Sequence, residues 1–313
     1  MKAIVLSSPG GAENLSYQEI EKPSPRETEV LIKVKAISIN PVDVKTRKGG
    51  SLYGSLADAG PVILGWDVAG VVEAVGLNAK KFKPGDDVFG MINFPGRGAA
   101  YAEYVSAPES HLALKPTNIG YDEAAATTLA ALTAWQVLVQ QASLTKGQHV
   151  LLHAAAGGVG HFAVQIAKHL DAIATGTASE VNKDYLLELG VDYFIDYKTQ
   201  ALEQVAKDVD IVLDSIGGET TQNSLQVIKP GGILVSIVGG AKEPVQRHAA
   251  ELQIMARNYL VHSNGEDMEQ LATLLKNGSI KATISHRYSF DQMAAAHTQI
   301  ESGRTRGKIV VLL

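Results

Sequence analysis

The 313-residue chain has no cysteine, which removes disulfides, thiolate nucleophiles and thiolate metal sites from consideration. No apolar run reaches the roughly 18–20 residues needed to cross a bilayer. The opening MKAIVLSSPGG is too short in its apolar part for a secretory signal. Positive charge is in deficit: 28 Lys and Arg stand against 33 Asp and Glu, so no basic footprint for a polyanion exists and nucleic acid is not expected as a partner. Internal repeats, low-complexity segments and long linkers are also missing. These absences lead us to expect a soluble, cytoplasmic protein.

What is present is a globular composition, 45% apolar with thirty glycines for tight turns. The length exceeds what one core usually serves, so two packed units are expected. Up to about Pro116, short β-rich runs separated by turn signals predict a small antiparallel barrel: Lys2–Leu6, Val30–Ile39, Val68–Val75, Asp87–Gly90, Ala102–Val105 and His111–Lys115. The paired acids Asp86 and Asp87 follow Pro84-Gly85 and read as turn residues rather than as an acid/base pair.

Tyr121–Gln141 has no Gly or Pro, is rich in Ala and Leu, and is acidic at its start, which predicts one helix. From Gln148 onward strands alternate with helices: strands His149–His153, Ala172–Thr177, Tyr193–Ile195, Asp210–Asp214 and Ile233–Val238, separated by helical stretches. That alternation predicts a parallel, doubly wound sheet. Helices Met268–Lys276 and Phe290–Glu301 and a final strand Lys308–Leu313 follow, the strand being placed to extend the first domain.

At the turn from the first of these strands into its helix stands HAAAGGVG, His153–Gly160, in which Ala155, Gly157 and Gly160 form A-x-G-x-x-G. Gly157 lets backbone approach a pyrophosphate, Gly160 permits close helix–strand contact, and Gly158 and Val159 open a helix whose free N–H groups face an anion. Alanine replaces the first glycine of the commoner pattern. His153 and His161, on either side, are assigned to structure.

The next strand end selects the cofactor, because a carboxylate there bonds the ribose hydroxyls of NADH and repels the 2′-phosphate of NADPH. Nineteen residues past Gly160 stands Ser179, with Thr177, Asn182 and Lys183 around it. Small hydroxyls, an amide and a cation predict NADPH. Glu180 opposes that reading only if it turns toward the ribose, and is expected to face solvent.

The whole chain resembles the zinc-free quinone oxidoreductase branch of the medium-chain dehydrogenase/reductase superfamily, through Asn40-Pro41-Val42-Asp43, Gly65-Trp66-Asp67-Val68-Ala69-Gly70, His153–Gly160, Gly176–Ser179 and the closing GKIVVLL. The resemblance implies an α/β architecture: a GroES-like β-barrel catalytic domain over residues 1–120 and 265–313, and a Rossmann domain over 121–264. It also implies that Asn40 and Trp66 stand where zinc alcohol dehydrogenases place a cysteine and a histidine. Without zinc no Lewis acid lowers an alcohol's pKa, whereas hydride transfer to a quinone or an enone needs mainly position and a dry pocket.

Candidate catalytic residues on the loop in the metal's place are Asn40, Asp43, Lys45 and Tyr53, the last as the phenol best placed to deliver a proton; Asn40 reads equally well as a helix cap. By resemblance Thr133 lies close to the nicotinamide and Tyr197 near the adenosine phosphate. Gly217 and Gly218 follow the fourth strand, Val238, Gly239 and Gly240 flank the nicotinamide ribose, and Val261, His262 and Ser263 close the far side of the cleft. Arg304, Arg306 and Lys308 compete to reach the cofactor phosphate. An enoyl-thioester reductase and an NADPH-binding protein with little turnover stand as alternatives, and a homodimer is expected through an apolar edge at Tyr259–His262.

Overall fold

A computed structural model describes every residue except Ser51 and Ala59. The chain divides into two compact units, Met1–Leu132 with His262–Leu313, and Thr133–Val261. The division falls inside the long helix, about a dozen residues later than the boundary expected at position 121. No helix among the described residues is long and apolar enough to cross a membrane.

The first unit is organised by the strand Glu29–Ile39, whose run EVLIKVKAISI is buried along most of its length. It pairs antiparallel with Asp67–Val75, with Tyr104–Pro108 and, at its C-terminal end, with Lys308–Leu312. The closing strand thus returns to the first unit, as its sequence suggests. Beyond Asp67–Val75 lie Asp87–Met91 and Ala113–Leu114, and beyond Lys308–Leu312 lies Ile284–Ser289. A separate three-stranded sheet is formed by Leu15–Glu19, Lys2–Leu6 and Val62–Ile63, and an isolated bridge pairs its Ala3 with Ala102, just ahead of the strand Tyr104–Pro108.

Several elements escaped or shifted. The strand expected at Ala102–Val105 runs Tyr104–Pro108, because its register is set by pairing Lys33 with Tyr104 and Glu29 with Pro108. His111–Lys115 shrinks to Ala113–Leu114 after a 3₁₀ turn, Glu109–His111. The helix Pro41–Arg47 was not foreseen, although Asn40 caps it, proline stands at its first position, and Asp43 completes a capping box. The helix from Tyr121 is α-helical to Trp135 and continues as a π-helical turn, Gln136–Gln141. Asp87 is more than a turn residue, since it accepts the Tyr121 hydroxyl at 2.5 Å.

The second unit is a six-stranded sheet in the order Tyr193–Asp196, Ile173–Ala178, His149–Leu152, Val209–Asp214, Ile228–Ser236, Met255–Asn258. Every neighbouring pair is parallel. With the strands numbered along the chain this is the order 3-2-1-4-5-6 of the doubly wound fold, whose ligand site lies at the C-terminal ends where the order reverses. The reversal is at His149–Leu152, immediately before the glycine loop. The last strand, Met255–Asn258, is the sheet edge, so the edge expected at Tyr259–His262 lies just beyond it. Tyr259 instead turns inward, its hydroxyl donating to Gln136 Oε1 at 2.9 Å.

Candidate active site

In the second unit the chain leaves the strand His149–Leu152 through Ala154, which adopts a left-handed φ of 48°. Such a conformation is costly for alanine and is held from both sides. The Ala155 N–H donates to the Thr177 carbonyl at 3.0 Å and the Gly157 N–H to the Ala154 carbonyl at 2.9 Å. Gly157 caps the helix Gly158–His169, and no side chain caps its free N–H groups. Gly158, Val159 and Gly160 form its first turn, where unpaired donors and the positive dipole end favour an anion. A Cβ on Gly160 would stand 2.6 Å from Ala155 Cα and closer still to the Ala154 carbonyl; only glycine fits.

His153 secures this turn. The Ser224 hydroxyl donates to the Thr220 carbonyl at 2.7 Å, so the His153 Nε2–H donates to Ser224 Oγ at 2.8 Å. Its Nδ1 then accepts from the Thr177 hydroxyl at 3.2 Å, whose oxygen accepts the Ala154 N–H at 3.3 Å. Burial lowers the His153 pKa from 6.5 to about 4, against the opposing charge of Asp214, and keeps the ring neutral as this network requires. Thr177 is thereby corrected as a phosphate ligand: its side chain is buried and its hydroxyl engaged inward.

Ser179, half-buried, ends the next strand and accepts from Asn182 Nδ2 at 3.2 Å. Lys183 and Glu180 form an exposed ion pair at 3.3 Å, and the Tyr197 ring stands 62% exposed beside the strand end. Gly217, Gly218 and Gly239 take positive φ values after the fourth and fifth strands, with Val238 exposed between them. Thr133 and Val261 are buried, and His262 is exposed. The Ser263 hydroxyl is taken by the Phe94 N–H at 2.9 Å. Sequence reasoning placed Ala154 in the glycine turn without its left-handed φ and gave no role to Asp214, Thr221 or Ser236, which support these loops; a positive φ at alanine and a buried acid ending a strand leave no local pattern.

In the first unit the residues at the metal position form a closed network. Asn40, 1% exposed, donates from Nδ2 to Asp67 Oδ2 at 2.7 Å and accepts the Lys308 ammonium on Oδ1. Lys308 also donates to the Ile39 carbonyl at 3.2 Å. The other Asp67 oxygen accepts the Leu129 N–H at 3.0 Å. Lys308 lies 3.8 Å from Asp67, and burial lowers its pKa against the pull of the two acids. Asp43 accepts the Asn40 N–H at 2.6 Å, and burial, then Asp67, pushes its carboxyl up to about 8. Its other oxygen, Oδ1, is buried without a hydrogen-bond partner, and the buried Tyr101 hydroxyl nearby lies 3.0 Å from His297 Nε2.

Four expectations change here. Asn40 is a locked cap rather than a free donor, and Asp43 is a fully buried member of a capping box. Lys308 cannot reach a phosphate from its buried position, which leaves the half-buried Arg306 and exposed Arg304. Lys45 is exposed on the helix Pro41–Arg47, outside the network. Tyr53 remains, half-buried on the short helix Tyr53–Ala57.

Zinc does not fit these residues. Tetrahedral sites use thiolate, imidazole and carboxylate donors, whereas this position offers a carboxamide, the Asp67 carboxylate already engaged on both oxygens, the Asp43 carboxyl raised to about 8, and a fixed ammonium that would repel a second cation. Among the described residues no group of three His, Cys, Asp or Glu side chains is arranged as metal ligands.

Residues 26–117 match the family described as alcohol dehydrogenase GroES-like domain, and residues 189–311 match the one described as zinc-binding dehydrogenase. The chain is 34% identical over 321 residues to the NADPH-dependent alkenal/one oxidoreductase of Arabidopsis thaliana, covering 99% of this chain and 79% of the relative. The quinone oxidoreductase structure from Coxiella burnetii superimposes with a TM-score of 0.94 at 34% identity, covering 100% of this chain and 99% of the other. The Escherichia coli quinone oxidoreductase complexed with NADPH superimposes at 0.88 with 28% identity and full coverage of both chains. The second family's descriptive name does not alter the donor set found at Asn40, Asp67 and Lys308. With both domains matched and such relatives along its whole length, the chain belongs to the medium-chain dehydrogenase/reductase superfamily, alongside its quinone and alkenal oxidoreductases.

Proposed function

We propose that the protein is an NADPH-dependent oxidoreductase that reduces a quinone or an α,β-unsaturated carbonyl without zinc. The observation that carries this reading is the glycine turn at Ala154–Gly160: an uncapped helix start, closed to any side chain at Gly160, at the switch point of a 3-2-1-4-5-6 sheet. An alkenal/one relative named as NADPH-dependent and a neighbour complexed with NADPH support the choice of cofactor.

When bound, NADPH supplies the hydride. The chain holds its pyrophosphate on the N–H groups of Gly158, Val159 and Gly160 and its 2′-phosphate among Ser179, Asn182 and Lys183, where no carboxylate ends the strand. The Tyr53 phenol is assigned the proton that completes the reduction. Lys308, buried against Asp67 and Asn40, holds the segment that leads to Tyr53 in place of a metal. The protein is assigned as a homodimer through the edge strand Met255–Asn258, where Met255 is 57% exposed.

The test is steady-state NADPH oxidation against one panel of quinones and one of enones, with Tyr53→Phe alongside. Saturable turnover on either panel, reduced in the variant, is expected. NADPH binding without turnover on both panels would replace this reading with a binding protein.

A further inference from the structure

Two loops in the second unit are tied to a single carboxylate. Asp214, fully buried at the end of its strand, accepts the Ile216 N–H at 3.0 Å and the Gly217 N–H at 2.9 Å on Oδ1. Its Oδ2 accepts the Thr221 hydroxyl at 2.7 Å. Ser236, paired in register with Asp214 on the neighbouring strand, accepts the Gly240 N–H at 2.8 Å. The loops at 215–218 and 237–240 also meet directly. A Cβ on Gly217 would stand 3.3 Å from Val238 Cγ2, and one on Gly240 would stand 2.6 Å from Asp214 Oδ2 and 2.9 Å from Ser236 Oγ.

A buried carboxylate must be bonded on both oxygens to be tolerated. Here that requirement is met by backbone of one loop and by the hydroxyl of the helix that follows it, while Gly240 of the second loop packs on the same oxygen. The loops present two apolar side chains to solvent, Ile216 at 53% and Val238 at 39% exposure. Exposed aliphatic tips on backbone held this firmly suit a flat, partly apolar ligand, whose binding then needs little loop ordering.

We propose that Asp214, with Thr221 and Ser236, is a positioning residue that fixes both loops as one preformed wall for the nicotinamide end of the cofactor. The inference rests on the NADPH reading above, and the loops' part in binding on their place at the C-terminal ends of the fourth and fifth strands. Asp214 acts through the loop backbone and touches no cofactor atom, so its loss weakens one end of the ligand and spares the other.

The experiment titrates NADPH and 2′-phospho-ADP-ribose, which lacks nicotinamide, into the wild type and into Asp214→Asn, Thr221→Val and Thr221→Ser, with melting curves and KM and kcat for NADPH. Asp214→Asn and Thr221→Val should weaken NADPH by about tenfold, with KM rising more than kcat falls. Binding of 2′-phospho-ADP-ribose should stay within about twofold in both, and Thr221→Ser should match the wild type. Equal weakening of both probes, or none, overturns the proposal. If Asp214→Asn does not fold, the contrast between Thr221→Val and Thr221→Ser decides. A wild type that binds neither probe refutes the cofactor reading itself, a result distinct from any difference among the variants.

Discussion

The Lys308 ammonium lies 3.8 Å from the Asp67 carboxylate, both fully enclosed, and the carboxamide of Asn40 bridges them. Removing one partner of a buried pair strands the other charge, a loss of about 3–5 kcal/mol. Lys308→Met should therefore lower the unfolding free energy by about 3 kcal/mol in urea titrations. Adding Asp67→Asn to it should restore part of the loss. A single variant as stable as the wild type would show that the ion pair contributes nothing.

The same trio predicts metal independence. Purified protein should contain far less than one zinc per chain by elemental analysis, and its NADPH-dependent activity should survive dialysis against a chelator. One tightly retained zinc per chain would contradict the donor chemistry read at Asn40 and Asp67.

Stability should carry the mark of Asp43, whose carboxyl is raised from 3.8 to about 8 by burial and by Asp67. Between those values the folded protein holds a proton the unfolded chain releases, so the group's contribution is complete below about pH 4 and lost as pH rises through about 8. His153 and His297 run the other way. Burial lowers them from 6.5 to about 4 and about 3, so their contribution is present above 6.5 and lost as pH falls. Asp43→Asn retains Asp67, Lys308 and Tyr101 but cannot ionise. The stability difference, wild type minus variant, should decline from pH 4 to pH 8 by up to about 1.4 kcal/mol per unit, measured by urea unfolding at a series of pH values; a flat difference would count against a neutral Asp43.

The two glycines of the nucleotide turn should separate binding from folding. A Cβ at Gly157 meets only the Ala154 carbonyl, at 3.2 Å. Gly157→Val is therefore expected to fold, with a melting point within a few degrees of wild type, and to lose NADPH affinity by at least about a hundredfold because bulk now stands where the pyrophosphate meets backbone. Gly160→Ala collides with the turn itself and should lower the melting point. Submicromolar NADPH binding by Gly157→Val would place the site elsewhere.

Cofactor choice should turn on Ser179. NADPH is expected to exceed NADH in kcat/KM by roughly one to three orders of magnitude, the worth of one or two charge-assisted hydrogen bonds. Ser179→Asp should invert the ranking by offering a carboxylate to the ribose hydroxyls and repelling the 2′-phosphate. Glu180, drawn into its exposed pair with Lys183, leaves that contrast in place. Equal use of both cofactors by the unaltered protein would mean that Glu180 reaches the ribose.

Strand–helix alternation, the glycine turn and the return of the final strand were legible because each depends on neighbours in the chain: apolar periodicity, a backbone approach that only glycine allows at Gly160, and the spacing from Gly160 to Ser179. The missing cysteines likewise excluded thiolate chemistry before any fold was known. What Asn40, Asp43 and Lys308 do was not legible. Their types suggested a donor, an acid and a phosphate ligand, whereas pairing of the strand Glu29–Ile39 with both Asp67–Val75 and Lys308–Leu312 buries them together. In that enclosure unpaired charge is too costly to leave free for chemistry. Thr177 turned inward for the same reason, drawn to a histidine contributed by the adjacent strand. Local pattern determines which backbone turns and elements form, while the partner of a buried polar group stands from 24 positions away, for Thr177 and His153, to 268, for Asn40 and Lys308, and only the folded chain brings them within hydrogen-bonding distance.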